Sequence, residues 1–154
     1  MTGIHSIIRN SSKQVPKEIQ VGLTVSVTGE HHISKARMAA ISLAYDVGMN
    51  RTNAYYIGTS VSELAGNLFF HCPRGGTITL TPIQQRGKAG IEVISEDNGP
   101  GIPDLDLAME DGFTTNKGLG GGLPGVRRLM DEFEITSEVG KGTKIITRKW
   151  QKCV

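Results

Sequence analysis

Cysteine, long apolar runs and net charge are all scarce in this chain. Its two cysteines, Cys72 and Cys153, have no metal-ligand spacing and are too few for a disulfide framework. They read as reduced thiols of a cytosolic protein. No stretch approaches the roughly 20 apolar residues that cross a bilayer. Met1 to Lys17 is polar around a short Ile7-Ile8 patch and lacks the apolar centre of a signal peptide. No membrane is therefore expected as a partner. A formal net charge of +2 is too weak an electrostatic footprint for nucleic acid.

What is present suffices for one folded domain. The chain has 154 residues, 38% hydrophobic and 21% charged, which excludes a disordered or membrane-embedded class. A single domain over residues 1–154 is expected, with 1–16 a loose arm or early strand. Glycine is the outlier at 20 residues, and it concentrates between Gly99 and Gly125. A binding site would explain that concentration, and so would a mobile linker.

Periodicity gives the elements. Ile19, Val21, Leu23, Val25 and Val27 alternate, which predicts a half-buried strand. Ile33 to Val47 carries apolar residues at helical spacing and is stopped by Gly48-Met49-Asn50. His31 and His32 open this helix without a carboxylate or thiol at ligand spacing, so they read as solvated helix-start residues, not a metal site. A second helix runs from about Arg51 to Cys72, with Ala54, Ile57, Val61, Leu64, Ala65 and Leu68 as its buried stripe. Thr77 to Ile83 and Ala89 to Glu96 predict a hairpin. Asp104 to Asp111 holds a short helix, Pro124 to Asp131 another, and Glu134 to Ser137 and Thr143 to Trp150 the last strands. Strands grouped in hairpins, with helices apart from them, predict an α+β two-layer sandwich: a mixed β-sheet with helices on one face.

Four stretches could carry chemistry. The first is Glu96-Asp97-Asn98-Gly99-Pro100-Gly101-Ile102, a strand ending in a tight turn with a carboxylate at its tip. Glycines let backbone approach a ligand closely, and the carboxylate could accept a hydrogen bond from an exocyclic amine such as adenine's. A plain turn accounts for the same residues. The second is Glu63-x-x-x-Asn67, two polar side chains one helical turn apart at the edge of the buried stripe, expected to face out of the core. Such a pair could set a base beside a metal ion, since Mg²⁺ takes few protein oxygens when phosphates bring the rest. A polar helix edge is the plainer account. The third is Gly118 to Gly125, a glycine-rich approach to a helix N-terminus, where free N–H groups favour an anion, with Lys117 as an added cation. Gly120-x-Gly122-x-x-Gly125 matches the dinucleotide fingerprint formally, but no strand leads into it and no βαβ unit surrounds it. Neither a Walker lysine motif nor a kinase catalytic loop is present. The fourth is Gly140-Lys141-Gly142-Thr143, at the mouth of the last strand.

In this order, over Ile19 to Trp150, the four stretches resemble the asparagine box and three glycine boxes of the GHKL superfamily, the ATP-binding fold shared by gyrase, Hsp90, histidine kinases and MutL. A stand-alone chain with Glu63 ahead of the box asparagine is similar to its switch kinases and anti-sigma kinases, which phosphorylate Ser or Thr. The stretches Ser62 to Asn67, Glu96 to Asp104, Met109 to Phe113 and Gly118 to Phe133 are most similar to the switch kinases of the bacterial stressosome.

The resemblance implies ATP and Mg²⁺ as cofactors and a STAS-domain stressosome protein as substrate. It also implies a downstream phosphatase or other output enzyme that the released protein activates by contact. It implies Glu63 as general base and Asn67 as the Mg²⁺ ligand. Asp97 would bind the adenine amine, with Gly99, Gly101 and Ile102 closing the pocket and Thr143 assisting. Gly118, Gly120, Gly121, Gly122 and Leu123 would form a lid over the phosphates, with Lys117 against their charge. An anti-sigma factor and a largely non-catalytic ATP-binding interaction module are the alternatives. Gly66 departs from the bulkier residue usual before the box asparagine, and His71 either approaches the site or packs.

Overall fold

The structure, a computed structural model, describes residues 22–110 and 122–152. The elements run β1 (Leu23–Val27), α1 (His31–Asp46), α2 (Arg51–His71), β2 (Gly76–Gln85), β3 (Lys88–Asp97), α3 (Leu105–Ala108), α4 (Gly122–Leu129), β4 (Glu132–Glu138) and β5 (Gly142–Lys152). The strands form one sheet in the order β1-β2-β3-β5-β4. Of the predicted first strand, Ile19 and Val21 lie outside the described residues. Val25 and Val27 are buried as expected, whereas Leu23 is 45% exposed.

Local chemistry sets the element ends. Asn50 caps α2 by accepting from the Asn53 N–H at 2.8 Å. After α1 the Gly48 N–H bonds the Tyr45 carbonyl and the Met49 N–H bonds the Ala44 carbonyl, both at 3.0 Å. This is the Schellman closure that glycine favours. The β2–β3 hairpin turns on Arg86-Gly87, with φ of 46° and 77°. Positive φ at both central residues is what a type I′ turn needs, so both strands run further toward the turn than predicted.

The core lies between the sheet and the helices. Ile57, Val61, Leu64 and Leu68 of α2 meet Val27, Ile78, Leu80, Ile91 and Val93 of the sheet, and Leu123 and Val126 of α4 join them. Helix α1 buries only Ala36, Ala40 and Ala44, small residues that let it lie close to α2. The other sheet face is polar: Thr24 bonds Thr79 at 3.3 Å, and Arg148 forks between Glu92 at 2.9 Å and Glu132 at 2.7 Å. The α+β two-layer arrangement is therefore as expected.

The sheet is not mixed, because all four strand pairings are antiparallel. The return strand of the β4–β5 hairpin inserts between β3 and β4, and it separates the two strands that run the same way. Among the described residues no helix is long and apolar enough to cross a membrane.

Candidate functional site

Asp97 is the last residue of β3, and strand register decides its neighbours. It pairs with Thr143 of β5, which pairs with Ser137 of β4. Alternation puts all three on the helix-facing side, one row beyond buried Ser95 and Ile145. The Ser137 Oγ accepts from the Ile102 N–H at 2.8 Å, lies 2.7 Å from the Thr143 Oγ1 and 3.2 Å from the Gly142 carbonyl. With the Ser137 proton on that carbonyl, Thr143 is the donor in the hydroxyl pair.

Two glycines hold the turn after Asp97 against the β4–β5 hairpin. Gly101 has φ 81°, and a Cβ there would lie 2.4 Å from the Glu138 carbonyl oxygen. Gly142 has φ 128°, and a Cβ there would lie 2.0 Å from the Asp97 carbonyl oxygen. Pro100 also accepts from the Gly140 N–H at 2.8 Å. At Gly101 the room left by the missing side chain is therefore taken by the protein's own backbone, not kept for a ligand. Gly99 turns its N–H back onto the Asp97 Oδ1 at 2.8 Å.

Helix α2 brings the second pair. Its last turn meets Asp97: a Cβ built on Gly76 would lie 2.7 Å from the Leu68 Cδ2 and 3.1 Å from the Asp97 Cβ. Asn67 is half-buried, one residue before Leu68. Glu63 stands one turn further back, about 6 Å along the axis. It does not face outward as expected; it is 7% exposed. The sheet, α1 and α4 all pack on α2, so the edge of the stripe is enclosed. Gly122 and Leu123 open α4, Leu123 being buried in the core. With Pro124 lacking an N–H, the first-turn donors of α4 are those of Gly122, Leu123 and Gly125. Lys117, Gly118, Gly120 and Gly121 lie outside the described residues.

The Asp97 carboxylate is an acceptor of the kind an exocyclic amine needs. An ionised carboxylate has about four acceptor positions. The Gly99 N–H uses one at Asp97, which leaves capacity for an amine. A groove of about 310 Å³ at the open ends of these strands is lined by Asp97, Asn98, Ser137 and Thr143 and, from the polar face of the sheet, by Glu96, Thr136 and Lys144; no residue of α2 lines it.

Two residues at the site carry no signal in the sequence. Ser137 is an ordinary polar strand residue until register places it beside Thr143. Cys72 is a free thiol as expected, and it lies with Asp97 over Gly99. His32 stands at the helix start as expected, and its Nδ1 also accepts from the N–H groups of Thr28 at 3.0 Å and Gly29 at 3.1 Å, so it caps the β1–α1 turn.

A carboxylate ending an inner strand, an Asn and a Glu one turn apart on the covering helix and a second helix packed on that helix lie together in an α+β sandwich. The chain belongs to the histidine kinase-, DNA gyrase B-, and HSP90-like ATPase family, which matches residues 54–152. Within it, the chain is 44% identical over 126 residues to the serine/threonine-protein kinase RsbT of Bacillus subtilis (strain 168), covering 82% of this chain and 94% of that one. It is 32% identical over 121 residues to an anti-sigma F factor of Clostridium acetobutylicum, covering 75% and 83% of the two chains. The fold is shared with the RsbU and RsbW domains of a Mycobacterium tuberculosis protein, at a TM-score of 0.55 and 15% identity over 88% of this chain and 33% of that one.

Proposed function

We propose that this protein is an ATP- and Mg²⁺-dependent serine/threonine kinase that phosphorylates a STAS-domain partner in a bacterial stressosome. On release it binds and activates a phosphatase or other output enzyme, and it works in the cytoplasm. The observation that carries this reading is the placement of Asp97 and Thr143 against the end of the helix that bears Asn67 and Glu63. The 44% identity to the RsbT kinase supports it.

Bound ATP would supply the phosphoryl group, and Mg²⁺ would neutralise charge on its phosphates. Asp97 accepts the adenine amine, and Gly99, Gly101 and Ile102 fix the turn behind it. Asn67 would hold Mg²⁺ through its side-chain oxygen, and the ion would neutralise phosphate charge there. The N–H groups of Gly122 and Leu123 at the start of α4 would serve the phosphates. Glu63 accepts the proton of the substrate hydroxyl as its oxygen bonds to the transferred phosphorus and the bond to the leaving diphosphate breaks. Such a reaction depends on positioning and charge neutralisation, and an enclosed carboxylate gives the hydroxyl a base away from competing water.

The test is transfer of radiolabel from ATP to a purified STAS partner, with nucleotide affinity measured alongside. Glu63→Gln is expected to bind nucleotide like the wild type and to lose transfer, and undiminished transfer removes Glu63 from the mechanism. Asn67→Ala is expected to lose Mg²⁺-dependent affinity. The resemblance to an anti-sigma F factor favours a second reading, capture of a sigma factor. Pull-downs against a STAS protein, a phosphatase and a sigma factor separate the two.

A further inference from the structure

Close to Asp97 stands a side chain to which no role attaches. Cys72 is the C-cap of α2, with φ −118° and ψ 109°. Its backbone is fixed at both ends, because its N–H bonds the Leu68 carbonyl at 3.3 Å and its own carbonyl accepts from the Gly75 N–H at 2.8 Å. The chain then passes into β2 at Gly76, whose missing Cβ lets it lie against Leu68 and Asp97. The end of α2 is thereby set beside the end of β3. Over Gly99 the two groups converge: a Cβ there would lie 3.1 Å from the Asp97 Oδ1 and 3.4 Å from the Cys72 Sγ.

We propose that Cys72 is a positioning residue for nucleotide recognition, its thiol donating a hydrogen bond that, with the Gly99 N–H, fixes the Asp97 carboxylate toward an incoming exocyclic amine. This rests on the reading of Asp97 as the adenine-binding group. The protonation state agrees. Burial first, then the charge and hydrogen bond of Asp97, push the Cys72 thiol up to about 12, so at neutral pH it is an S–H donor and not a thiolate nucleophile. A thiol is a weak donor, but its acceptor here is charged. A carboxylate already held by two donors needs little further ordering when the base arrives.

The discriminating pair of nucleotides is ATP and purine riboside triphosphate, which lacks the amine. Affinities are measured by calorimetry with Mg²⁺ for the full chain and for Cys72→Ala and Cys72→Ser. Cys72→Ala is expected to weaken ATP roughly 3- to 10-fold, the worth of about one hydrogen bond. It should leave purine riboside triphosphate unchanged, and Cys72→Ser, which keeps a donor, should restore the preference. Equal weakening of both nucleotides by Cys72→Ala would mean a merely structural role and overturns the proposal, as does an unchanged ATP preference.

A second measurement needs no nucleotide. Alkylation of the Cys72 peptide by iodoacetamide, followed by mass spectrometry, is expected to be faster in Asp97→Asn, where burial still disfavours the thiolate but the neighbouring charge that adds to that effect is gone. An unchanged rate overturns the contact itself. If the rate rises while the wild-type chain binds neither nucleotide, the contact stands, but the nucleotide reading fails and the recognition role falls with it.

Discussion

Gly66 lies inside a 21-residue helix, immediately before the candidate Mg²⁺ ligand, and nothing fills the space its side chain would take. A Cβ built there meets no atom within 4 Å, whereas one built on Gly58 of the same helix would lie 2.8 Å from both the Cδ1 and the Cγ1 of Ile41 on α1. Glycine in a helix interior costs about 1 kcal/mol relative to alanine, through the backbone freedom it surrenders. At Gly66 the whole gain should appear. At Gly58 an overpacking cost of about 1–3 kcal/mol opposes it. Gly66→Ala is therefore expected to raise stability by about 1 kcal/mol, which for a domain of this size is about 2–4 °C in Tm. Gly58→Ala is expected to be neutral or destabilising. Urea unfolding followed by far-UV circular dichroism reads both variants: the midpoint should rise for Gly66→Ala with the slope unchanged. A lower midpoint for Gly66→Ala would refute the reasoning, because it would mean that the space beside Asn67 is occupied in the folded protein.

Three further outcomes follow from single contacts. The Ser60 hydroxyl is fully buried on α2 and finds no hydrogen-bond partner among the described residues. Ser60→Ala should therefore stabilise by about 1–2 kcal/mol in the same urea assay, and a loss would reveal a partner for it. Gly101→Ala places a side chain at φ 81° against the Glu138 carbonyl; it should cost at least about 2 kcal/mol, and an unshifted unfolding midpoint would count against the close approach. Desolvation first, then His31 and Lys35, hold His32 below the usual histidine range, and its Nδ1 accepts two backbone N–H groups. Below about pH 6.5 the unfolded chain takes up this proton more readily than the folded one. The His32 contribution is therefore present above that pH and is lost as pH falls through the lower folded value. The drop in urea midpoint between pH 7.5 and pH 5 should be smaller in His32→Gln than in the wild type; an equal drop would remove His32 from the pH response.

Much of the fold was legible because its signals are periodic. The α2 stripe from Ala54 to Leu68 is buried residue for residue. The stop at Gly48 is written in the same few residues that make its hydrogen bonds. Strand direction was not legible, because nothing local says that β5 will enter between β3 and β4. A hairpin predicts antiparallel partners within itself, whereas the pairing of β3 with β5 joins residues far apart in the chain, such as Asp97 and Thr143.

The candidate site divides along the same line. Asp97, Gly99 and Gly101 announce themselves as a turn, and Glu63 and Asn67 as a helical pair, because residue type and spacing are local properties. The burial of Glu63 was not readable, since it comes from α1, α4 and the sheet closing around α2. The neighbours of the glycines were not readable for a related reason. A glycine pattern tells where backbone approaches closely but not what approaches, and at Gly101 and Gly142 it is the chain itself. Ser137 and Cys72 show the limit most plainly. Each is an ordinary residue in an ordinary position until register and a helix end carry it to Thr143 and Asp97. The candidate recognition surface at Asp97 is thus built from a motif that the sequence displays and from supports that only the tertiary fold selects. Variation in those supports, not in the motif, is where two members of one family would come to differ in how firmly they hold a base.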